Sequence, residues 1–391
     1  MFSIPFLLFW IGVAVVGYTY VGYGLVIYTF SRLKTSKPVP PIDQQNLPSV
    51  TLLIAAYNEE DFIVEKIKNT TELDYPKDKL KVFFVTDGST DKTAQLIGQY
   101  PELKLFHSSE RKGKIHAVSR VMRSVETDIV VFCDANTYLN SGAIKNIVRH
   151  YQDETVGGVA GEKRIMSKDK DNASGAGEGL YWKYESFLKK KDSEVWSVVG
   201  AAGELFSIRT KLYEEPDENM IIEDFYLSLR VAARGYRFIY EPDAYAMESA
   251  SESVGEEWKR KVRISAGGFQ AMYKLRYLLN PFQHGILSFQ YFSHRVLRWT
   301  LAPLFLPIIL LSNLWLAAGG IAFYQIVLLL QIGFYFLAFL GYQLRDKKVS
   351  IKGFFVPYYF VVMNLSVFAG FMRYVRGSQS VVWEKARRAT S

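Results

Sequence analysis

Apolar residues are arranged along this chain in two ways. Long unbroken runs occupy the ends, and short bursts separated by charged segments occupy the middle. Residues 2–31, 299–344 and 353–372 carry no charge at all. A bilayer core about 30 Å thick takes about 20 helical residues per crossing. The first run therefore predicts one membrane helix, the second two helices broken near Gly319 and Gly320, and the third one more. A cleaved signal peptide fits the first run poorly, because the run is too long and lacks a basic start.

The short bursts at residues 50–57, 81–86, 103–107 and 128–133 read as strands, and helical patterns lie between them at 60–71, 91–100 and 114–124. Thr90 is placed to cap the second of these helices. Strands alternating with helices predict an α/β fold, a mostly parallel sheet covered on both faces. Ligands of such sheets sit beyond the carboxyl ends of the strands. Four prolines in residues 32–49 mark a linker, 50–280 form the α/β domain, and 299–373 hold two to three further spans. Residues 281–298 mix apolar and basic positions, as in a helix lying in the headgroup region or one buried in the domain. Residues 374–391 form a basic tail, and Gly175, Gly177 and Gly179 point to a mobile loop.

Composition narrows the class. The 391 residues are 49% hydrophobic and 15% aromatic, which excludes a disordered chain. The mean hydropathy of +0.02 averages two unlike materials. A single cysteine, Cys133, excludes an intramolecular disulfide framework and a cysteine zinc site. Neither a P-loop nor a dinucleotide fingerprint occurs, nor a His-Glu-x-x-His motif. The net charge of +8 is explained by anionic lipid more economically than by nucleic acid. Lys and Arg flank the spans at Arg32, Lys34, Lys37, Arg295, Arg298, Arg345, Lys347 and Lys348, which places the central domain in the cytosol. Arg373, Arg376, Lys385, Arg387 and Arg388 draw the tail to the same side, although three crossings after Trp299 would put it outside.

Candidate chemistry follows successive strands: Tyr57-Asn58-Glu59-Glu60 after the first, Asp87-Gly88-Ser89-Thr90-Asp91 after the second, and Asp134-Ala135-Asn136 after the fourth. Each alone is an ordinary turn or cap. Together they gather aromatic and carboxylate groups at one sheet edge, where a base can stack and ribose hydroxyls can be bound. Asp134 and Asn136 offer hard oxygen ligands to Mg2+ or Mn2+ on a diphosphate. Lys112-Gly113-Lys114 opens a helix whose N-terminus favours an anion.

These elements, in order with Gly200-Ala201-Ala202-Gly203 and Glu223-Asp224, resemble a membrane-bound family 2 glycosyltransferase of the GT-A fold, the group that includes poly-N-acetylglucosamine, hyaluronan and cellulose synthases. The resemblance implies a Rossmann-like GT-A domain between membrane helices. It also implies an inverting transfer from a nucleotide sugar, a UDP-sugar, to a lipid-linked or polysaccharide acceptor at the cytosolic face of the plasma membrane. By it, Tyr57, Glu59 and Asp87 hold the base and ribose, while Lys114 and Arg263 hold the phosphates. Asp134 and Asn136 hold the metal, Gly203 and Glu223 border the acceptor, and Asp224 is the catalytic base. Two departures stand out: Asn136 replaces a second carboxylate, and Ile264 follows Arg263 where processive members place a tryptophan. A single addition is thus as open as chain extension with export, and an inactive nucleotide-binding scaffold is the alternative from another class.

Overall fold

The computed structural model describes residues 3–35, 38–166, 173–249, 254–344 and 352–378. Lys37, Arg345, Lys347, Lys348, Lys385, Arg387 and Arg388 lie outside the described residues. The chain divides into two units, one built from residues 34–166 and 189–249, the other from 1–33, 167–188 and 250–378.

The first unit is built on one mixed sheet. Its strands are β1 (Val50–Ala56), β2 (Leu80–Asp87), β3 (Lys104–Ser108), β4 (Ile129–Asp134), β5 (Tyr138–Leu139), β6 (Val156–Ile165), β7 (Leu205–Arg209) and β8 (Arg237–Glu248). They stand in the order β3-β2-β1-β4-β7-β6-β8-β5. The four strands read from the sequence pair in parallel, and β7 then enters antiparallel to both β4 and β6. β1 and β4 are apolar at every position except Thr51 and the terminal Asp134, because both faces of a parallel sheet are covered. Alternation divides them: Leu52 and Ile54 join one core, Leu53 the other. Helices Ile63–Thr71, Thr93–Ile97 and Ala143–Val148 close the first face through Ile63, Ile67, Ile97, Ile144 and Ile147. Helices Lys114–Met122 and Glu223–Ala233 close the second through Val118, Val121, Leu227 and Val231.

Three local expectations need correction. Thr90 is not the cap of the second helix: Asp91 Oδ1 accepts from Thr93 N at 2.9 Å, because the loop turns Thr90 toward Asn58. The end of the proline-rich segment packs on the sheet unit, with Leu47 buried in the core and Pro48 O accepting from the Tyr75 hydroxyl at 2.6 Å. Residues 173–195 form a helix, so Gly175, Gly177 and Gly179 do not make a loop. Leu188, Lys189, Asp192 and Val195 recur at helical spacing and are buried, and such packing overrides the poor helix propensity of glycine.

Among the described residues, the second unit contains four helices long and apolar enough to cross a membrane: Ile4–Leu33, Leu301–Ala318, Ala322–Gln343 and Gly353–Val375. The break between the second and third lies at Gly319 and Gly320, the latter at φ 79°. Outward-facing Leu311, Leu329 and Leu330 are about two-thirds exposed, a surface suited to lipid chains. Small residues allow close helix contact: a Cβ on Gly12 would lie 2.6 Å from Ile309 Cγ1, and one on Gly370 2.5 Å from Ser265 Cβ. Polar pairs add to this, with Asn313 donating to Gln331 at 2.7 Å and the Tyr20 hydroxyl to Asn364 at 2.7 Å.

Arg295 and Arg298, expected from the sequence to face headgroups, are buried instead. Arg295 donates to Glu185 Oε1 at 2.5 Å and Arg298 to Glu185 Oε2 at 3.0 Å. Burial would raise the Glu185 carboxyl, but Arg295, His294 and Arg298 outweigh it and hold it well below the usual range. Removing one member of a buried ion group leaves the others uncompensated, at a cost of about 3–5 kcal/mol. Glu185→Gln is expected to destabilise the detergent-solubilised chain by that order, read as a lower unfolding temperature. Glu126→Gln, whose side chain is 82% exposed in its pair with Lys81, is the control that leaves it unchanged.

Candidate active site

The loops after β1 and β2 are stitched to each other by short polar side chains. Asn58, at φ 53°, accepts from Thr90 N at 2.8 Å, and Glu59 N donates to Thr93 Oγ1 at 2.8 Å. Glu60 N donates to Asp91 Oδ2 at 3.1 Å, and Lys92 N returns a bond to Glu60 Oε2 at 3.1 Å. Asn58 is an unusual non-glycine residue in the left-handed region, and its side-chain bond holds it there.

Asp87, buried at the end of β2, accepts from Gly113 N at 2.6 Å and from Lys112 N at 3.0 Å. The anion expected at this helix N-terminus is therefore Asp87's own carboxylate. Gly88 (φ 66°) permits the approach, since a Cβ there would lie 2.5 Å from Arg111 Cβ. Arg111 had no signal in the sequence beyond its place next to Lys112, yet its guanidinium lies 3.7 Å over the Tyr57 ring. Ala55, Tyr57, Val85, Asp87, Arg111 and Lys114 line a small cleft at this point.

Lys114 joins the second cluster. Its Nζ lies 2.8 Å from Asp134 Oδ1 and 2.9 Å from Glu223 Oε1. Burial opposes the charge on Lys114, but the two carboxylates outweigh it and raise its pKa above the ordinary value. Asp134 is anchored from below: Thr137 Oγ1 donates to its carbonyl at 2.9 Å, and buried Lys66 donates to Thr137 O at 2.7 Å. Asn136 is half-buried two residues further on. Burial raises the Asp134 carboxyl; Lys114 opposes this, and Glu204 and Glu223 add to it.

Asp224 follows Glu223 in the first turn of its helix. Burial, then the charge of Glu223, pushes its carboxyl up to about 7, against the pull of Lys114. A Cβ on Gly203 would lie 3.3 Å from Asp224 Oδ2 and 3.7 Å from Lys114 Nζ, so the bare glycine leaves room in front of both. Gly200 (φ 92°) packs where a Cβ would be 2.3 Å from the Phe225 ring, and Ala201 N donates to Ser228 Oγ at 3.0 Å. These contacts fix the 200–203 loop to the helix that carries Asp224.

Glu204 was also missed by sequence reasoning, although it directly follows the quoted glycine loop. Lys163, itself buried, lies 2.8 Å from Glu204 and also pairs with buried Glu248. The structure thus gathers Asp134, Glu223, Asp224 and Gly203 around Lys114, and Tyr57 and Asp87 around Arg111. Glu59 lies in the stitched loop through its backbone. Arg263 lies half-buried on the Val254–Lys274 helix of the other unit.

Residues 51–215 match the family model described as Glycosyl transferase family 2. Poly-beta-1,6-N-acetyl-D-glucosamine synthase of Staphylococcus aureus is 30% identical over 243 residues, covering 60% of this chain and 58% of that protein. The synthase of the same name from Staphylococcus epidermidis is 24% identical over 253 residues, covering 62% and 59%. The chain therefore spans less than two-thirds of the length of these relatives. Among solved structures, a mannosyltransferase from Pyrobaculum calidifontis in complex with GDP-Man and Mn2+ superposes with a TM-score of 0.70 at 24% identity, covering 95% of this chain and all of that one. The sheet unit is thus similar to family 2 glycosyltransferases, and its fold is the GT-A fold.

The raised Asp224 carboxyl has a consequence for stability. An acid whose folded pKa is about 7 rather than 3.8 favours the folded state only while protonated. That contribution is complete below about pH 4 and is lost as pH rises through about 7. Asp224→Asn, which cannot ionise, is expected to match the parent chain near pH 4 and to exceed it by a few kcal/mol above pH 7. Unfolding temperature against pH for both proteins checks this; parallel curves would show an unperturbed Asp224.

Proposed function

We propose that this chain is a membrane-bound, inverting glycosyltransferase that moves a sugar from a nucleoside-diphosphate sugar to a lipid-linked or polysaccharide acceptor at the cytosolic face of the plasma membrane. The observation that carries the reading is Asp224, raised to about 7 and facing the space left by Gly203 beside the Lys114–Asp134 pair. Tyr57, Glu59 and Asp87 bind base and ribose; Lys114 and Arg263 serve the diphosphate; Glu223 orients Lys114 and borders the acceptor. Asp224 takes the proton of the acceptor hydroxyl as its oxygen attacks the anomeric carbon, and the nucleoside diphosphate leaves from the opposite side. One in-line displacement inverts the configuration. A general base tuned near neutrality suits this task and contributes about 10²–10⁴ in rate.

The residues present fit a divalent cation. Asp134 and Glu223 flank Lys114, with Asp224 beside them, so hard carboxylate oxygens gather in a buried setting. Among the described residues no three His, Cys, Asp or Glu groups form a complete ligand set. Asp134 and Asn136 would hold Mg2+ or Mn2+ together with substrate phosphates, as hard cations of this kind are commonly held. The bound ion would stabilise charge on the leaving diphosphate.

The polymer reading draws on the relatives, whose printed name is a poly-N-acetyl-D-glucosamine synthase. It makes uridine-linked N-acetylglucosamine the first donor to test, and product length separates extension from single addition. With purified chain in lipid nanodiscs, Asp224→Asn is expected to lower turnover about 10²–10⁴-fold while leaving nucleotide binding within a factor of a few. Parent turnover is expected to rise with pH through an apparent pKa near 7, the ionisation of Asp224. Chelation of divalent ions should abolish turnover, and Mn2+ or Mg2+ should restore it. Unchanged sugar transfer by Asp224→Asn would reject this residue as the base.

A further inference from the structure

One buried lysine carries its charge without an ion pair. Lys66 stands on the helix Ile63–Thr71, on the stripe that also holds Ile63, Ile67 and Thr70, and it is 0% exposed. A lysine on such a face ordinarily runs its charged head out to water. Here the ammonium donates to Thr137 O at 2.7 Å, to Cys133 Sγ at 3.1 Å and to Thr137 Oγ1 at 3.4 Å. Among the described residues no carboxylate lies within ion-pair distance of it. Burying a charge without a counter-ion is costly, and an apolar side chain of the same length would fill the space without that cost. The ammonium therefore stands where stability alone would not put it, and departures of that kind gather at functional sites.

Around it lies the turn that bears Asp134 and Asn136. β4 ends in Cys133 and Asp134, and the chain runs on through Ala135 and Asn136 to Thr137. The stem of this turn is closed on itself: Thr137 Oγ1 donates to Asp134 O at 2.9 Å, and the Cys133 thiol lies 3.2 Å from the same hydroxyl. Lys66 bonds both sides of the stem. Its helix also grips the residues that follow. Glu65 accepts from the Tyr138 hydroxyl, Asn69 Nδ2 donates to Leu139 O at 2.8 Å, and Leu139 N donates to Asn69 Oδ1 at 2.9 Å. Lys66 is the member of this set that reaches the stem itself.

We propose that Lys66 is a positioning residue for the divalent cation: its ammonium locks the 134–137 turn in the conformation that offers the Asp134 and Asn136 oxygens to Mn2+ or Mg2+. An ammonium has three donors, and three acceptors converge on this one. The apparent affinity of a site falls with the fraction of molecules in the competent conformation. A turn that supplies two oxygens from residues two apart is sensitive to this, because any conformer that parts them loses the ion. Groups that orient metal ligands from behind are worth about 10–100-fold in metal affinity. Fully buried, Lys66 does this without touching cation or substrate.

The inference rests on the metal reading of the proposed function and is tested separately from it. Mn2+ binding to the full chain in nanodiscs with UDP present is read from the electron paramagnetic resonance of free Mn2+, for the parent, Lys66→Met and Thr137→Val. Thermal unfolding without metal shows whether each variant is folded. Lys66→Met, similar in length and uncharged, is expected to bind Mn2+ about 10–100-fold more weakly. Its turnover should climb back toward the parent's as Mn2+ is raised, a shift in metal dependence that a mere loss of folded protein does not produce. Thr137→Val keeps Thr137 O but loses the hydroxyl on Asp134 O, so it should weaken Mn2+ binding in the same direction, and it decides the matter if Lys66→Met does not fold. Mn2+ affinity within about threefold of the parent's in the folded variants overturns the proposal. So does turnover that stays low at saturating Mn2+, the mark of a lysine that serves the fold alone. A parent chain that binds no Mn2+ overturns the metal assignment itself, and this inference with it.

Discussion

One ammonium group holds the candidate centre together. Lys114 Nζ bridges Asp134 at the end of β4 and Glu223 at the start of the Glu223–Ala233 helix, elements far apart in sequence. Without it, Asp134, Glu223 and Asp224 would face one another in a poorly solvated space, where like charges repel far more strongly than in water. Lys163 performs the corresponding service for Glu204 and Glu248 one layer away. Burial first, and the neighbouring charge of Glu223 second, raise the Asp224 carboxyl against the pull of Lys114. Under the proposed function, that raised carboxyl would suit Asp224 to act as the base near neutral pH.

Asp87 does a second job at the other end of the cleft. A carboxylate at a helix N-terminus satisfies amide groups that would otherwise attract a phosphate. Here it fixes the 111–113 loop, and with that loop it fixes the root of Arg111. The residue expected to read the base thus also builds the wall of the base pocket. Substituting Asp87 would disturb both.

The parts of this fold that were legible in the sequence rest on local pattern. β1 and β4 are recognisable because a strand covered on both faces must be apolar almost throughout, and the spans because lipid excludes charge over some 20 residues. What escaped rests on partners distant in sequence. Arg111 over Tyr57, Lys163 between Glu204 and Glu248, and Arg295 and Arg298 on Glu185 have no signature in the residues beside them. The 173–195 helix escaped for the opposite reason. Its glycines signal a loop locally, and only the packing of Leu188, Asp192 and Val195 reverses that signal.

Stability and chemistry are opposed at Asp224, and the opposition has a direction. Folding places an ionisable acid next to Glu223 and away from water, so at neutral pH the unliganded protein carries strain that an uncharged side chain would lack. A divalent cation held by Asp134 and Asn136 would add positive charge there, and a bound diphosphate would supply further oxygen ligands. Each ligand is then expected to bind better in the presence of the other, because among the described residues no three ligating side chains are placed to hold a cation alone. Under the proposed function, coupling of this kind would commit Asp224 only when the leaving group is in place. It follows from the charges that surround Lys114 rather than from any movement of the sheet.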